Sequence, residues 1–144
     1  MSLRFAMLVI FLTSLSARAD LGKDLIGTWK NSSTACSDGS VANISHEYLS
    51  LAFDGFTINF TNARPDCTVT YREPYQFNTR ELKWAVKSLA TTCGGYTSLH
   101  TVNPPEQNLV KVSVSGNQLV FALEVAGNGP CPVGSNLIIS FDKE

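Results

Sequence analysis

The chain has 144 residues, 44% of them hydrophobic, with 12 acidic and 11 basic side chains and a formal net charge of −1. This near balance, without a basic stripe, argues against a nucleic-acid partner, and no charge run or low-complexity tract marks a disordered tail. No internal repeat of about 20 to 50 residues points to a solenoid or an array.

Arg4, the apolar run from Phe5 to Leu12 and Ala17-Arg18-Ala19 together have the form of a secretory signal peptide cleaved before Asp20. The run is shorter than the about 20 apolar residues that cross a bilayer, so no membrane span is expected. The residue immediately after the cleavage point is Asp20 and not a cysteine, so a lipoprotein anchor is not indicated. Residues 1–19 are therefore read as a leader and residues 20–144 as one domain of 144 − 19 = 125 residues, enough for a core of its own. Without Arg4 and Arg18 the domain carries 11 − 2 = 9 basic against 12 acidic side chains, a charge of −3. An exported protein is expected, in a bacterial periplasm or outside the cell, and as a monomer.

The domain reads as short alternating runs cut by Gly, Asp and Asn. Ile26-Gly-Thr-Trp-Lys30 opens the first strand. Glu47 to Phe53 forms the second, with Leu49, Leu51 and Phe53 on one face. Asp54-Gly55 is a hairpin turn. Phe56 to Thr61 follows with period-2 alternation, placing Phe56, Ile58 and Phe60 inward. Cys67 to about Phe77 holds Val69, Tyr71, Tyr75 and Phe77 in phase, and Asn78-Thr79 turns the chain. Leu82 to Thr92 fits a strand with Leu82, Trp84 and Val86 inward, although Leu82, Val86 and Leu89 also fit a helical stripe. Gly94 to Asn108, with Gly-Gly and Pro-Pro, reads as one long loop. Val110, Val112 and Val114 mark a sixth facing set. Ser115-Gly116-Asn117 leads to a strand with Leu119, Phe121, Leu123 and Val125 in phase. A Gly/Pro loop around Cys131 precedes the last strand, Leu137 to Phe141.

Eight strands with short turns at one end and longer connections at the other define an all-β chain, an eight-stranded antiparallel up-and-down β-barrel. A barrel of this size is nearly filled by its own side chains, and closure removes exposed sheet edges. A two-sheet β-sandwich is the alternative that alternation alone leaves open. The expected core includes Trp29, Ile58, Phe60, Val112, Phe121 and Ile139.

Cys36, Cys67, Cys93 and Cys131 all fall at the end with the longer connections. An even count in an exported chain reads as disulfides. Zinc usually needs closely spaced ligand pairs, and here the nearest cysteines are 26 positions apart. In an eight-strand meander these four connections follow one another around one rim, so bonds between neighbours can form and bonds across the mouth mostly cannot. Pairing Cys36–Cys93 with Cys67–Cys131 is disfavoured. Of the other two arrangements, Cys36–Cys131 with Cys67–Cys93 is preferred over Cys36–Cys67 with Cys93–Cys131. The first bond would tie the seam where the first and last strands must meet without a turn.

Leu25-Ile-Gly-Thr-Trp29, just inside the expected mature N-terminus of an all-β chain, resembles the Gly-x-Trp opening of lipocalins and of the shorter bacterial lipocalin-like domains. Val114 to Leu119 and Leu137 to Lys143 are loosely similar to the penultimate hairpin and closing strand of such domains. The resemblance implies that Trp29 packs across the closed base of a barrel, a structural role. The chain departs from full-length lipocalins in lacking a clear helix after the barrel.

No catalytic residue, cofactor motif or metal-ligand set is legible, so no enzyme is expected. There is no Gly-x-Ser-x-Gly elbow, phosphate loop or His-Glu-x-x-His. His46 and His100 read as surface histidines. Asp66 with Glu73, and Asp38 with Glu106, are carboxylate pairs of a kind any β-protein offers. Arg64, Arg72 and Arg80 read as solvated charges. Asn31, Asn43 and Asn59 begin glycosylation sequons expected to face solvent. Tyr96, His100, Pro104 and Pro105, in the longest expected loop, are the candidate binding loop. Two functions stay open: a lipocalin-like carrier taking a small apolar ligand into the barrel mouth, or a protein-binding or inhibitor module using the stapled loop end. A cavity of about 300 Å³ or more would favour the first and a packed lumen the second.

Overall fold

The computed structural model describes residues 22–44, 47–124 and 129–144. The expected leader and its cleavage point, His46 and Val125 lie outside the described residues. Eight strands follow in order: β1 (Gly27–Cys36), β2 (Glu47–Phe53), β3 (Thr57–Arg64), β4 (Cys67–Phe77), β5 (Glu81–Cys93), β6 (Tyr96–Ser115), β7 (Gln118–Glu124) and β8 (Asn136–Lys143). Each pairs antiparallel with its sequence neighbours, and β1 pairs with β8 from Trp29↔Lys143 to Cys36↔Leu137. The sheet is therefore a closed up-and-down barrel and not a two-sheet sandwich. The helical stripe in Leu82–Leu89 loses to strand, because Leu82, Trp84 and Val86 are buried on one face of β5 and Lys83 is exposed on the other.

Inward alternation fills the lower barrel. Trp29, Leu51, Phe53, Ile58, Phe60, Leu82, Val112, Leu119, Phe121, Ile139 and Phe141 are all buried. Trp29 sits at the base, fully buried, and its indole Nε1 donates to the Leu25 carbonyl at 2.8 Å. That carbonyl ends a single helical turn at residues 22–25, with buried Leu25 beneath the barrel. Gly27 has φ of +134°, and a Cβ there would meet Lys143 Cε at 3.0 Å. Lys143 in turn places its ammonium 5.2 Å from the Trp29 ring centroid, a cation–π contact. The Gly27/Trp29 motif thus has a local cause: glycine lets the last strand's lysine close over the base.

Several expectations are corrected. Phe56 is not inward. It is 82% exposed in the β2–β3 turn, because Asp54 Oδ1 accepts from the backbone N–H of Phe56 at 2.9 Å and of Thr57 at 2.7 Å, and the strand starts only at Thr57. On β2 a register shift between Tyr48 and Ser50 swaps the phase, so Tyr48 packs against the core and Leu49 is only half-buried. Two of the four expected long connections are tight turns. β3 and β4 join through Pro65-Asp66, with Arg64 opposite Cys67. β5 and β6 join through Gly94-Gly95, with Cys93 opposite Tyr96 and both glycines at positive φ. The segment from Gly94 to Asn108 is therefore not a loop. The turn glycines are followed at once by β6, and Pro104-Pro105 sits in a bulge, where residues 102–105 oppose Lys87 alone. A proline is tolerated at such a place because no ladder N–H is required of it.

The disulfides are Cys36–Cys131 and Cys67–Cys93, with Cα atoms 5.6 and 4.4 Å apart. The first joins the end of β1 to the β7–β8 connection, beside the β1/β8 seam. The second joins directly opposed register partners of β4 and β5, a cross-strand pair and not a loop-to-loop staple. The rim near the seam is further laced by Asn43 N–H to the Pro130 carbonyl at 2.8 Å and Asn136 N–H to Ser37 Oγ at 2.9 Å. Asn43 and Asn59 are exposed, but Asn31 is half-buried. Its Nδ2 donates to the Ser140 carbonyl at 3.1 Å across the seam, which corrects the expectation that all three sequons face solvent.

Candidate functional site

The upper barrel is not filled. A cavity of about 190 Å³ lies above the Trp84–Phe121–Phe141 aromatic layer and opens toward the rim. Strand alternation puts its wall together. Asn62 and Phe60 come from β3, Tyr71 and Val69 from β4, Trp84 and Val86 from β5, and Glu106, Asn108 and Val110 from the same face of β6. One side of the cavity is an aromatic slab. Phe60 lies near-parallel to Tyr71 (centroids 5.4 Å, 16°) and to Trp84 (6.2 Å, 19°).

The polar atoms are few and placed by the same register. Trp84 Nε1 donates to the Tyr71 hydroxyl at 3.1 Å. Asn62 Oδ1 is buried and has no hydrogen-bond partner among the described residues. Glu106 on β6 stands half the ring away from Tyr48 on β2, at the mouth. Burial pushes the Tyr71 phenol well above its ordinary range, and the Glu106 and Glu73 carboxylates push it further. The Tyr48 phenol is raised by burial and then by Glu106. Arg64, the cation of the lining, is exposed at the end of β3.

Glu73 was not singled out as a lone site residue, yet it is only 5% exposed. The β4–β5 ladder breaks between Thr70 and Tyr75, a stretch that contains Pro74, which has no N–H. The Glu73 carboxylate reaches into the gap, where Oε1 accepts from Lys87 N–H at 2.7 Å and Ser88 N–H at 3.3 Å. Its signal in the sequence was a carboxylate in the inward phase of a strand. The structure does not bring it together with Asp66, which occupies the exposed β3–β4 turn at φ +62°.

The candidate binding-loop residues Tyr96, His100, Pro104 and Pro105 are all exposed on β6, outside the cavity lining. Among the described residues, β6 pairs with β7 only from Lys111 to Ser115, so Tyr96–Val110 offers an edge with no partner on that side. Tyr96 and Leu99 are each 83% exposed there. Arg72 is not simply solvated, since it pairs with Asp54 at 2.9 Å on the surface.

Among the described residues no three His, Cys, Asp or Glu side chains gather as a metal site, and no helix is long and apolar enough to cross a membrane. The site defines a class by architecture: a disulfide-stapled, closed eight-stranded antiparallel barrel with a small half-polar lumen. The chain matches no family model, no curated protein and no solved structure.

Proposed function

We propose that the chain is an exported, non-enzymatic lipocalin-like binding protein that holds a small ligand in the mouth of its barrel. The observation that carries this reading is the cavity of about 190 Å³ with an aromatic slab on one side and an unmatched buried acceptor, Asn62 Oδ1. The volume falls short of the 300 Å³ and more of a typical drug-sized site. It exceeds the about 150 Å³ that accommodates a benzene ring. A lipid is too large, and a ligand of about eight to ten non-hydrogen atoms fits. Export is supported by the leader-like residues 1–19 and by two disulfides, which persist in oxidising compartments.

A second reading is favoured by one specific feature. The β5–β6 hairpin carries exposed Tyr96 and Leu99 along an edge unpaired on the β7 side among the described residues, the kind of edge a partner strand can extend. In that case the barrel is a protein-binding or inhibitor module. Native mass spectrometry of protein purified from its own source separates the two. The lumen reading expects an adduct of roughly 150 Da that is lost on denaturation. A bare polypeptide, together with unchanged Trp84 emission on titration with one-ring aromatics, would overturn it.

A further inference from the structure

We infer that the outer edge of the β5–β6 hairpin pairs antiparallel with the same edge of a second copy of this chain, about a twofold axis at Leu99. This rests on the edge invoked in the second reading above and narrows its partner to a copy; it does not depend on a lumen ligand. From Tyr96 to Thr101 every residue of β6 is exposed, on both faces of the strand. Among the described residues this stretch pairs with β5 and not with β7. Native edge strands are blunted by charges, prolines or short length. From Gly94 to Asn103 there is no Lys, Arg, Asp, Glu or Pro, so this edge carries no such guard.

The hairpin fixes which backbone groups the edge offers. Gly94-Gly95 is a two-residue turn closed by Cys93 and Tyr96. Such a closing pair exchanges both backbone hydrogen bonds, and the pairs alternate from there. Tyr96, Ser98 and His100 therefore bond to β5, and the N–H and C=O of Thr97, Leu99 and Thr101 point away from it. The Thr92 and Thr97 hydroxyls, 2.9 Å apart, fit the closer side-chain approach of a pair without backbone bonds. A twofold axis at Leu99 sets these three residues against themselves: Leu99 meets the copy's Leu99, and Thr97 meets the copy's Thr101. On the other face Tyr96 meets the copy's Val102, and Ser98 meets the copy's His100. Apolar side chains then oppose apolar ones and polar oppose polar on both faces, the pairing that stabilises a sheet. An axis at Ser98 or His100 instead sets Leu99 against a threonine. The two barrels of the dimer point in opposite directions.

Sedimentation equilibrium and amide exchange on the purified chain, with its disulfides intact, test this at concentrations up to about 1 mM. A doubled mass is expected. The amides of Thr97, Leu99 and Thr101 should gain about tenfold protection as the dimer fills, while those of Ser98 and His100, already bonded to β5, change little. Leu99→Lys, at a position 83% exposed, sets two ammonium groups against each other at the axis. It is expected to return the mass to that of the monomer without lowering the Tm of the dilute protein. Leu109→Lys, also exposed on β6 but outside the paired stretch, should leave the dimer intact. A monomer throughout overturns the inference and leaves the lumen reading standing. A dimer that survives Leu99→Lys, or whose protection falls elsewhere than Thr97, Leu99 and Thr101, overturns it too. So does native mass spectrometry of protein from its own source showing a different polypeptide in the copy's place, an outcome that upholds the second reading.

Discussion

Glu73→Ala removes the carboxylate that fills the break in the β4–β5 ladder. Two backbone N–H groups, of Lys87 and Ser88, then lose their acceptor, the buried Glu73 carboxylate, in a part-buried strip of sheet. A hydrogen bond to a charged group contributes about 1.5–3 kcal/mol. The 2.7 Å contact to Lys87 belongs near the upper part of that range and the 3.3 Å contact to Ser88 below it, so the pair is worth about 3 kcal/mol. With a urea dependence of about 1.5 kcal/mol per M for a domain of this size, the unfolding midpoint falls by about 2 M. Glu73→Gln keeps a carbonyl oxygen as acceptor and loses only the charge, and its expected cost is about 1 kcal/mol. Urea unfolding with the disulfides intact, followed by tryptophan emission, reads both. Amide exchange localises the effect, with Lys87 and Ser88 losing protection in Glu73→Ala. An alanine variant within about 0.3 M of the parent, or a glutamine variant as unstable as alanine, would refute the acceptor role.

Replacing both cysteines of Cys36–Cys131 by alanine opens a loop of 95 residues, and replacing those of Cys67–Cys93 opens one of 26. Chain entropy gives losses of about 4.7 and 3.5 kcal/mol, so the seam bond should matter more in thermal melts. Trp29→Phe leaves the Leu25 carbonyl without its donor and should cost about 1–3 kcal/mol, against about 3–5 kcal/mol for Trp29→Ala, measured by the same unfolding. The Asp54 carboxyl is held well below its ordinary 3.8 by the Thr57 backbone N–H first, then by the Phe56 N–H and the Thr57 hydroxyl. A lowered folded-state pKa stabilises above 3.8 and loses that contribution as pH falls further. Asp54→Asn should flatten the fall of Tm between about pH 4 and pH 2, and an unchanged slope would count against this turn as a source of acid sensitivity.

Most strands were legible because the barrel buries one face of each, so the period-2 pattern in residues such as Ile58/Phe60 and Leu119/Phe121 is dictated by the core. Where the pattern misled, a local hydrogen bond or bulge had won. Phe56 continues the alternation of Ile58 and Phe60 but belongs to the turn that Asp54 caps. Gly94-Gly95 and Pro104-Pro105 look like one long loop by composition. They are instead a two-residue turn and a strand bulge, features that depend on the register between β5 and β6. Strand order disfavoured one disulfide pairing and the need to tie the seam chose between the other two, although Cys67 and Cys93 meet as ladder partners and not as loop residues. The lumen was less legible. Tyr71 lies in the inward phase read from its strand and Asn62 continues the phase of Ile58 and Phe60, but Glu106 falls in the segment read as a loop, and nothing in the sequence separates a filled barrel from one with a small cavity.

The β1–β8 seam also sets the order in which the chain can assemble. Every other strand interface joins consecutive strands and can form as a local hairpin, whereas β1 meets β8 only after the 136 − 36 − 1 = 99 residues between them are in place. Closing a loop that long costs about 2 kcal/mol more than closing one a tenth its length. Hairpins zip first and the cylinder shuts last, so the curled sheet passes through a stage in which β1 and β8 are bare edges, open to pairing with another copy. Oxidation of Cys36 with Cys131 ends that stage, because the bond ties these two edges together. A reduced chain should accordingly be prone to aggregate while refolding, long before its finished barrel shows any weakness at equilibrium.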